Sequence, residues 1–400
     1  MKPGFSLMII FFSILFLSGT EKTTVNEERI IPQQKVIIIM MDGFGEAYYR
    51  SSDMPTLNFM EKQGIFKVVK SLMPSVTNVN NASICTGELP EKNGITGNSF
   101  YNAATGTEDF MEDDSLLLSP TIFERAGKKG INSALFSSKK KSVSLLSRGT
   151  LFSLSPETAS QEWVNKIGAV PPIYSREVNY WLMDAALYSM KHDSSIGLFY
   201  IHITDYPMHT WAPEETESKE HLNKIDQYIA RIREAEPNAM ILVTADHTVN
   251  HKERCIDIEK ACINRRMPIK IAISAERDKY VKHHRGFGGT SYVYLNNKKD
   301  LPEIQKLIKG LKGVEEVLTR DAAAKKFHLM PGRIGDLVVF GDEKTVFGNL
   351  DTEYEKLPGN YRTHGSVYEA SVPLFVYNAQ DAPTADFFFS NYKIAAWLYR

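Results

Sequence analysis

Three aspartates in this chain stand just past runs of apolar residues: Asp42 after Lys35–Met41, Asp205 after Gly197–Ile203 and Asp246 after Ala239–Thr244. Two of them have histidines close by, His209 four residues after Asp205 and His247 directly after Asp246, and a further His364 lies in the Arg362–Ser366 segment. Continuous apolar runs suit strands buried on both faces of a parallel sheet, and in such sheets ligands bind at the strand C-termini. Three carboxylates gathered at one edge repel one another unless cations neutralise them, and mixed Asp and His donors suit zinc. Singly, an Asp after a strand reads equally as a helix cap. Together they point to a two-metal centre that attracts a phosphoryl anion.

The Met73–Gly87 segment supplies a nucleophile. Thr77 stands before an Asn-rich turn leading into a helix, where free backbone N–H groups favour an anion. A metal beside it lowers the hydroxyl pKa, so it can attack without a dedicated base. Asn98, in Gly94–Phe100, offers an amide donor to a phosphoryl oxygen. Taken alone, both segments also read as capped turns.

The elements that must hold these groups alternate between strand and helix. Ser119 and Pro120 open a helix that Gly130 closes. Another starts at Ser175 with Val178, Trp181, Leu182 and Ala185 on one face, and a third carries Leu222, Ile225, Ile229 and Ile232. This predicts an α/β fold with a central, mostly parallel sheet between helices. After about residue 255 the pattern turns to short mixed units: alternating Ile269, Ile271 and Ile273, a strand at Ser291–Leu295, a helix near Pro302–Leu311 and a strand at Asp336–Phe340. The expected organisation is a catalytic domain from 30–254 and 345–400, with a small α+β cap inserted at 255–344.

Composition bounds the rest. The 400 residues carry 47 Lys+Arg against 48 Asp+Glu, a net charge of -1, so no global field draws the chain to a nucleic acid polymer. At 43% hydrophobic and 24% charged it has a globular composition, not that of a disordered chain or a coiled coil. Lys2, the apolar run Phe5–Leu17 and the small residues Ser18, Gly19 and Thr20 form a signal-peptide pattern over residues 1–20. The mature protein is thus expected to be exported, periplasmic or secreted, with no membrane span after cleavage. In an oxidising compartment Cys255 and Cys262 either pair across a short loop or remain two free thiols.

In combination, Asp42, Thr77, Asn98, Asp205, His209, Asp246, His247 and His364 resemble the alkaline-phosphatase superfamily, in its nucleotide pyrophosphatase/phosphodiesterase-like branch. The likeness spans about residues 35 to 378, strongest in Ile39–Gly45, the Thr77 segment, Thr244–His247 and Thr363–Gly365. It implies two zinc ions per chain, one held by Asp42, Thr77, Asp246 and His247 and the other by Asp205, His209 and His364, and a covalent phosphothreonine intermediate. Within the branch the segment Thr77–Asn81 and the stretch Thr204–His209 look most like phosphonoacetate hydrolases, apart from Val79 where those enzymes carry Pro. Ser137–Leu146 is similar to a segment whose two lysines hold the substrate carboxylate there, and Lys139 and Lys141 match them. The resemblance therefore implies hydrolysis of the carbon–phosphorus bond of phosphonoacetate, a small anionic phosphonate. The alternative is a pyrophosphatase or phosphodiesterase acting on nucleotides or other phosphate esters. His283, His284 and Arg285 either reach the same anion or belong to a Gly-rich surface loop.

Overall fold

Six strands run in one direction and a seventh against them in the sheet at the centre of the computed structural model, which describes Met1, residues 34–279 and residues 285–399. The expected signal peptide, and with it His283 and His284, lies outside the described residues. Across the sheet the order is Ile65–Lys70, Ser371–Tyr377, Met240–Thr244, Val36–Met41, Ile196–Ile203, Asn132–Ser137 and Phe152–Leu154, with Ser371–Tyr377 antiparallel to both its neighbours. The apolar runs fill the middle: every side chain of Val36–Met41 and Met240–Thr244 is buried. Neither face of these strands meets water, which is why they show no alternation of apolar and polar residues.

Helices cover both faces of the sheet. The helix Thr216–Ala235 buries Leu222, Ile225, Ile229 and Ile232 along one stripe, and Glu177–His192 buries Val178, Leu182 and Ala185. Asp226 interrupts the first stripe for a local reason. Its carboxylate accepts the backbone N–H groups of Thr56 at 2.8 Å and Leu57 at 2.9 Å, capping the start of the helix Pro55–Gln63. The helix expected after Pro120 runs Ile122–Lys128 and opens with a capping box between Thr121 and Glu124. Among the described residues no helix is long and apolar enough to cross a membrane.

The region expected to form the cap has a hydrophobic cluster of its own and shares another with Met73 and Ala370 of the body. An antiparallel sheet, in the order Ile271–Ser274, Thr290–Tyr294, Leu337–Gly341 and Val314–Thr319, packs Val293, Leu337 and Val339 against the helices Ile258–Asn264 and Leu301–Lys309. Its other face meets the helix Arg320–Phe327 through Ala323 and Ala324. A second small sheet joins Arg254–Ile256 to Thr345–Phe347 and Tyr354–Lys356. This pairing carries the insertion past residue 344, because the strand that opens it is completed only by residues up to 356. The chain re-enters the body where Arg362–Thr363 pairs with Asn250–His251. Cys85, Cys255 and Cys262 are buried free thiols.

Candidate metal centre

Strand register brings the three aspartates together. Met40 lies opposite Thr244 and Met41 opposite Ile203, so Asp42 and Asp246 each follow by two residues and Asp205 comes up on the other side. Asp205 also precedes the helix Tyr206–Thr210, whose first turn carries His209 back over it: His209 Nε2 is 3.0 Å from Asp205 Oδ2. Gly43 makes the crossing possible. Its φ is +76°, and a Cβ there would stand 3.1 Å from Asp205 Cβ and 3.2 Å from Met208 Cβ. His364 arrives from the far side, just after the strand that closes the cap insertion.

The three histidines share one arrangement. Nδ1 of His209 donates to the Arg362 carbonyl at 2.8 Å, Nδ1 of His247 to the Thr248 carbonyl at 3.1 Å, and Nδ1 of His364 to the Ser75 carbonyl at 2.8 Å. A carbonyl can only accept, so Nδ1 of each ring carries a proton and Nε2 is the atom left to face the centre. Those Nε2 atoms face oxygens. His247 Nε2 is 3.4 Å from Asp42 Oδ1, 3.5 Å from Asp246 Oδ2 and 3.4 Å from Thr77 Oγ1. Four donors around a tetrahedral ion with bonds of about 2.0–2.1 Å stand about 3.3–3.4 Å apart. Asp205, His209 and His364 form a second group of donor atoms within 4.8 Å of one another, and Asp42, Asp205 and His247 an overlapping one. Asp42 Oδ1, Asp246 Oδ2 and His364 Nε2 are buried without a hydrogen bond. Acceptor facing acceptor at this depth is repulsive unless a cation sits between, so the donor set fits divalent metal.

The charges show the same strain. Burial first, and then Asp42, push the Asp246 carboxyl well above its ordinary value. Burial and Asp205 act likewise on Asp42, but Lys139, a hydrogen bond from His202 and the neighbouring His247 outweigh them and hold it well below the usual range. His247 stacks on His364 with ring centroids 3.5 Å apart; burial and that neighbour keep it neutral. Burial also opposes charge on His364, yet Glu276 and Asp205 raise its pKa.

The expected nucleophile is placed differently from the turn read in sequence. Thr77 is the first residue of a helix, Thr77–Thr86, in which every residue is buried. The asparagines that suggested a turn each serve a buried contact: Asn78 Nδ2 donates to the Met111 carbonyl at 2.8 Å, Asn80 Oδ1 accepts from the Leu72 N–H at 2.7 Å, and Asn81 Oδ1 accepts from the Tyr200 hydroxyl at 2.8 Å. Asn98 reaches this helix start, its Oδ1 accepting the Asn78 N–H at 3.1 Å. Lys139 is also drawn in, with Nζ 2.6 Å from Asp42 Oδ2 and 3.0 Å from Asp205 Oδ1. Lys141 is buried nearby and pairs with Asp278 of the cap; burial and then repulsion from Lys139 pull it down to about 8 in spite of the opposing carboxylates of Glu276, Asp205 and Asp42. Arg285 does not reach the centre and pairs with Glu355 on the cap. The glycines after it dock rather than move freely: Gly289 donates to the His364 carbonyl at 3.0 Å, and a Cβ there would be 2.5 Å from Ser366 Cβ.

Three contributions were not foreseen. His202, a lone histidine in an apolar strand, is held by Ser137 Oγ at 3.0 Å and supports Asp42 Oδ2 at 3.2 Å. Glu369 is fully buried and ties Lys252, Asn250 and Ser366 together, steadying the His364 loop. Glu276 and Asp278 enter from the cap, where two acids shortly after the alternating isoleucines were the only signal. Beside the metal donors opens a cavity of about 580 Å³, lined by Phe100, Phe110, Ile173, Tyr174, Lys139 and Lys141.

Residues 36–366 match the family model described as type I phosphodiesterase/nucleotide pyrophosphatase. A phosphonoacetate hydrolase from Sinorhizobium meliloti 1021, solved with phosphonoformate and with phosphonoacetate, superposes with a TM-score of 0.83 at 28% identity, over 92% of this chain and 95% of that one. Murine ectonucleotide pyrophosphatase/phosphodiesterase 5 shares the fold, with a TM-score of 0.67 at 15% identity, over 91% of this chain and 94% of that one. In sequence, the mouse ectonucleotide pyrophosphatase/phosphodiesterase family member 7 is 23% identical over 248 residues, 55% of this chain and 52% of that protein. Mouse bis(5'-adenosyl)-triphosphatase is 26% identical over 243 residues, 58% of this chain and 51% of that protein. The match thus spans about half the length of these last two relatives.

Proposed function

The chain belongs to the type I phosphodiesterase/nucleotide pyrophosphatase family, and from that premise we propose that it is a binuclear zinc hydrolase that splits phosphonoacetate into acetate and phosphate through a phosphothreonine. The observation that carries the reading is the set of three carbonyl-anchored imidazoles whose Nε2 atoms converge on Asp42, Asp205, Asp246 and the Thr77 hydroxyl. One ion would be held by Asp42, Thr77, Asp246 and His247, the other by Asp205, His209 and His364. When bound, the ions supply positive charge that lowers the Thr77 hydroxyl pKa and offsets the phosphoryl oxygens.

The chain's own groups do the rest. Thr77 Oγ1 forms the new bond to phosphorus while the bond to the leaving group breaks, and water later hydrolyses the phosphothreonine. Asn98 is close enough to the helix start to donate to a phosphoryl oxygen. A carboxymethyl leaving group carries developing negative charge onto its carboxylate before it takes up a proton. Lys139 and Lys141, which line the adjoining cavity, are the cations that would stabilise it. Likeness to a phosphonoacetate hydrolase over nearly the whole chain supports this substrate.

One observation favours a second reading. A cavity of about 580 Å³ with Phe100, Phe110 and Tyr174 in its wall is far larger than an acetate group requires and suits a nucleotide or another diester. Phosphate release from phosphonoacetate, other phosphonates, nucleotide diesters and a chromogenic phosphodiester separates the two. Turnover confined to the diesters overturns the phosphonate assignment and leaves the metal and Thr77 roles standing.

A further inference from the structure

The cap sends two carboxylates, two residues apart, into the groups assigned to the substrate's anions. Glu276 is buried, with 3% of its surface exposed. Its Oε2 accepts from Asn98 Nδ2 at 3.0 Å, and its backbone carbonyl accepts from the same amide nitrogen at 3.2 Å. Both hydrogens of the Asn98 amide are therefore directed at Glu276. The other carboxylate oxygen, Oε1, stands 3.3 Å from His364 Nε2, the atom that His364 turns toward the Asp205 and His209 donors. Asp278 meets Lys141 in the same manner, in an ion pair whose side chains are 1% and 6% exposed.

A phosphoryl group at this centre needs one oxygen toward the cation position beside His364 and another toward the Asn98 amide. The two oxygens of Glu276 already take those two directions. Asp278 in turn takes the Lys141 ammonium that would hold a substrate carboxylate. We propose that the cap segment Ser274–Lys279 is an internal occupant of the substrate site: Glu276 stands in the phosphoryl position between His364 and Asn98, Asp278 in the carboxylate position on Lys141, and an anionic substrate binds by displacing them. The segment determines specificity, because a ligand must bring anionic groups that match both positions to displace both side chains. This rests on the assignment of Thr77, Asn98 and Lys141 given above.

Lys141 also explains why the occupant is anionic. A buried ammonium with Lys139 as neighbour needs a counter-charge whether or not substrate is bound, and a cap carboxylate supplies it in the free protein. For Asn98 the same holds for its donors, which would otherwise be buried without acceptors.

The test uses calorimetric binding to the zinc-loaded Thr77→Ala protein, so that no turnover intervenes, with zinc content measured for each variant. Inorganic phosphate, which has no carboxylate, is compared with phosphonoacetate, which has one. E276Q keeps the size and an acceptor oxygen for Asn98 but removes the charge, and it is expected to tighten binding of both anions by about tenfold or more. D278N is expected to tighten phosphonoacetate by a similar factor and phosphate by much less. Weaker or equal binding of phosphate by E276Q, with zinc retained, overturns the displacement of Glu276. An equal effect of D278N on both anions overturns the assignment of Asp278 to a carboxylate position. A Thr77→Ala protein that binds neither anion refutes the reading of the site itself, which is a separate outcome from either of these.

Discussion

The sheet edge and the cap contribute to one site by different physical means. At the edge, Asp42, Asp205 and Asp246 are where they are because three buried parallel strands end together, and their register leaves no other place for the next residue. In the cap, Glu276 and Asp278 reach the site only because a second sheet is packed over it, held at the neck by Arg362–Thr363 against Asn250–His251 and by the docking of Gly289 on the His364 loop. The edge supplies donors for cations and the cap supplies anions. On the proposed reading, the chemistry belongs to the sheet edge, and the cap adds carboxylates that bear on selectivity.

The comparison breaks most visibly if the metals go. Chelation should abolish turnover and zinc should restore it, with about two zinc per chain in the restored protein; full activity in metal-free protein would refute the centre. Asp205→Ala or His364→Ala should empty mainly one position and Asp246→Ala the other, measured by metal analysis. Zinc affinity should fall on acidification. His364, raised by Glu276 and Asp205 against the effect of burial, keeps its proton to a higher pH than an ordinary histidine, and the ion must expel that proton to bind.

Next in size is the nucleophile. Thr77→Ala keeps every nitrogen and carboxylate donor, so metal content should survive while kcat falls by about a thousandfold or more. Thr77→Ser should recover part of the rate. A rate near that of the unaltered protein in Thr77→Ala would mean that water attacks phosphorus directly.

The neck offers a change in stability. Lys252 and Glu369 are both fully buried, 2.7 Å apart, and Lys252 also donates to the Glu343 carbonyl at 2.9 Å. Lys252→Ala leaves the Glu369 charge buried without this partner and should cost about 3–5 kcal/mol in denaturant unfolding. If the folded fraction also loses zinc, the cap attachment positions the metal centre as well as covering it, and the division between the two regions is less sharp than drawn.

The smallest effect expected is on choice of substrate. Lys141→Ala should lower kcat/KM for phosphonoacetate by about ten- to a hundredfold relative to a chromogenic diester, on the scale of a lost charge-assisted contact. Equal losses on both substrates would assign Lys141 to the fold of the cap interface.

How much could be read in advance follows from which interactions are local. Apolar runs of the right length, each ending in an aspartate, state in one dimension both the buried strand and the residue that leaves it, so Asp42, Asp205, Asp246, His209 and His247 were legible, as was the alternation of strand and helix. Even there the Asn-rich segment misled, because turn propensity was read where tertiary contacts to Leu72, Met111 and Tyr200 make asparagine a helical residue. The partners of Lys139 and Lys141, the arrival of Glu276, and the tie between Glu369 and Lys252 are set by residues from 66 to 178 positions apart in the chain. No periodicity or motif encodes such separations. The sequence by itself determined which groups stand at the strand ends with donors for a cation; only the packing of the cap on the sheet edge decided which anions already stand against them, because a contact between residues far apart in the chain depends on the shape of both packed surfaces.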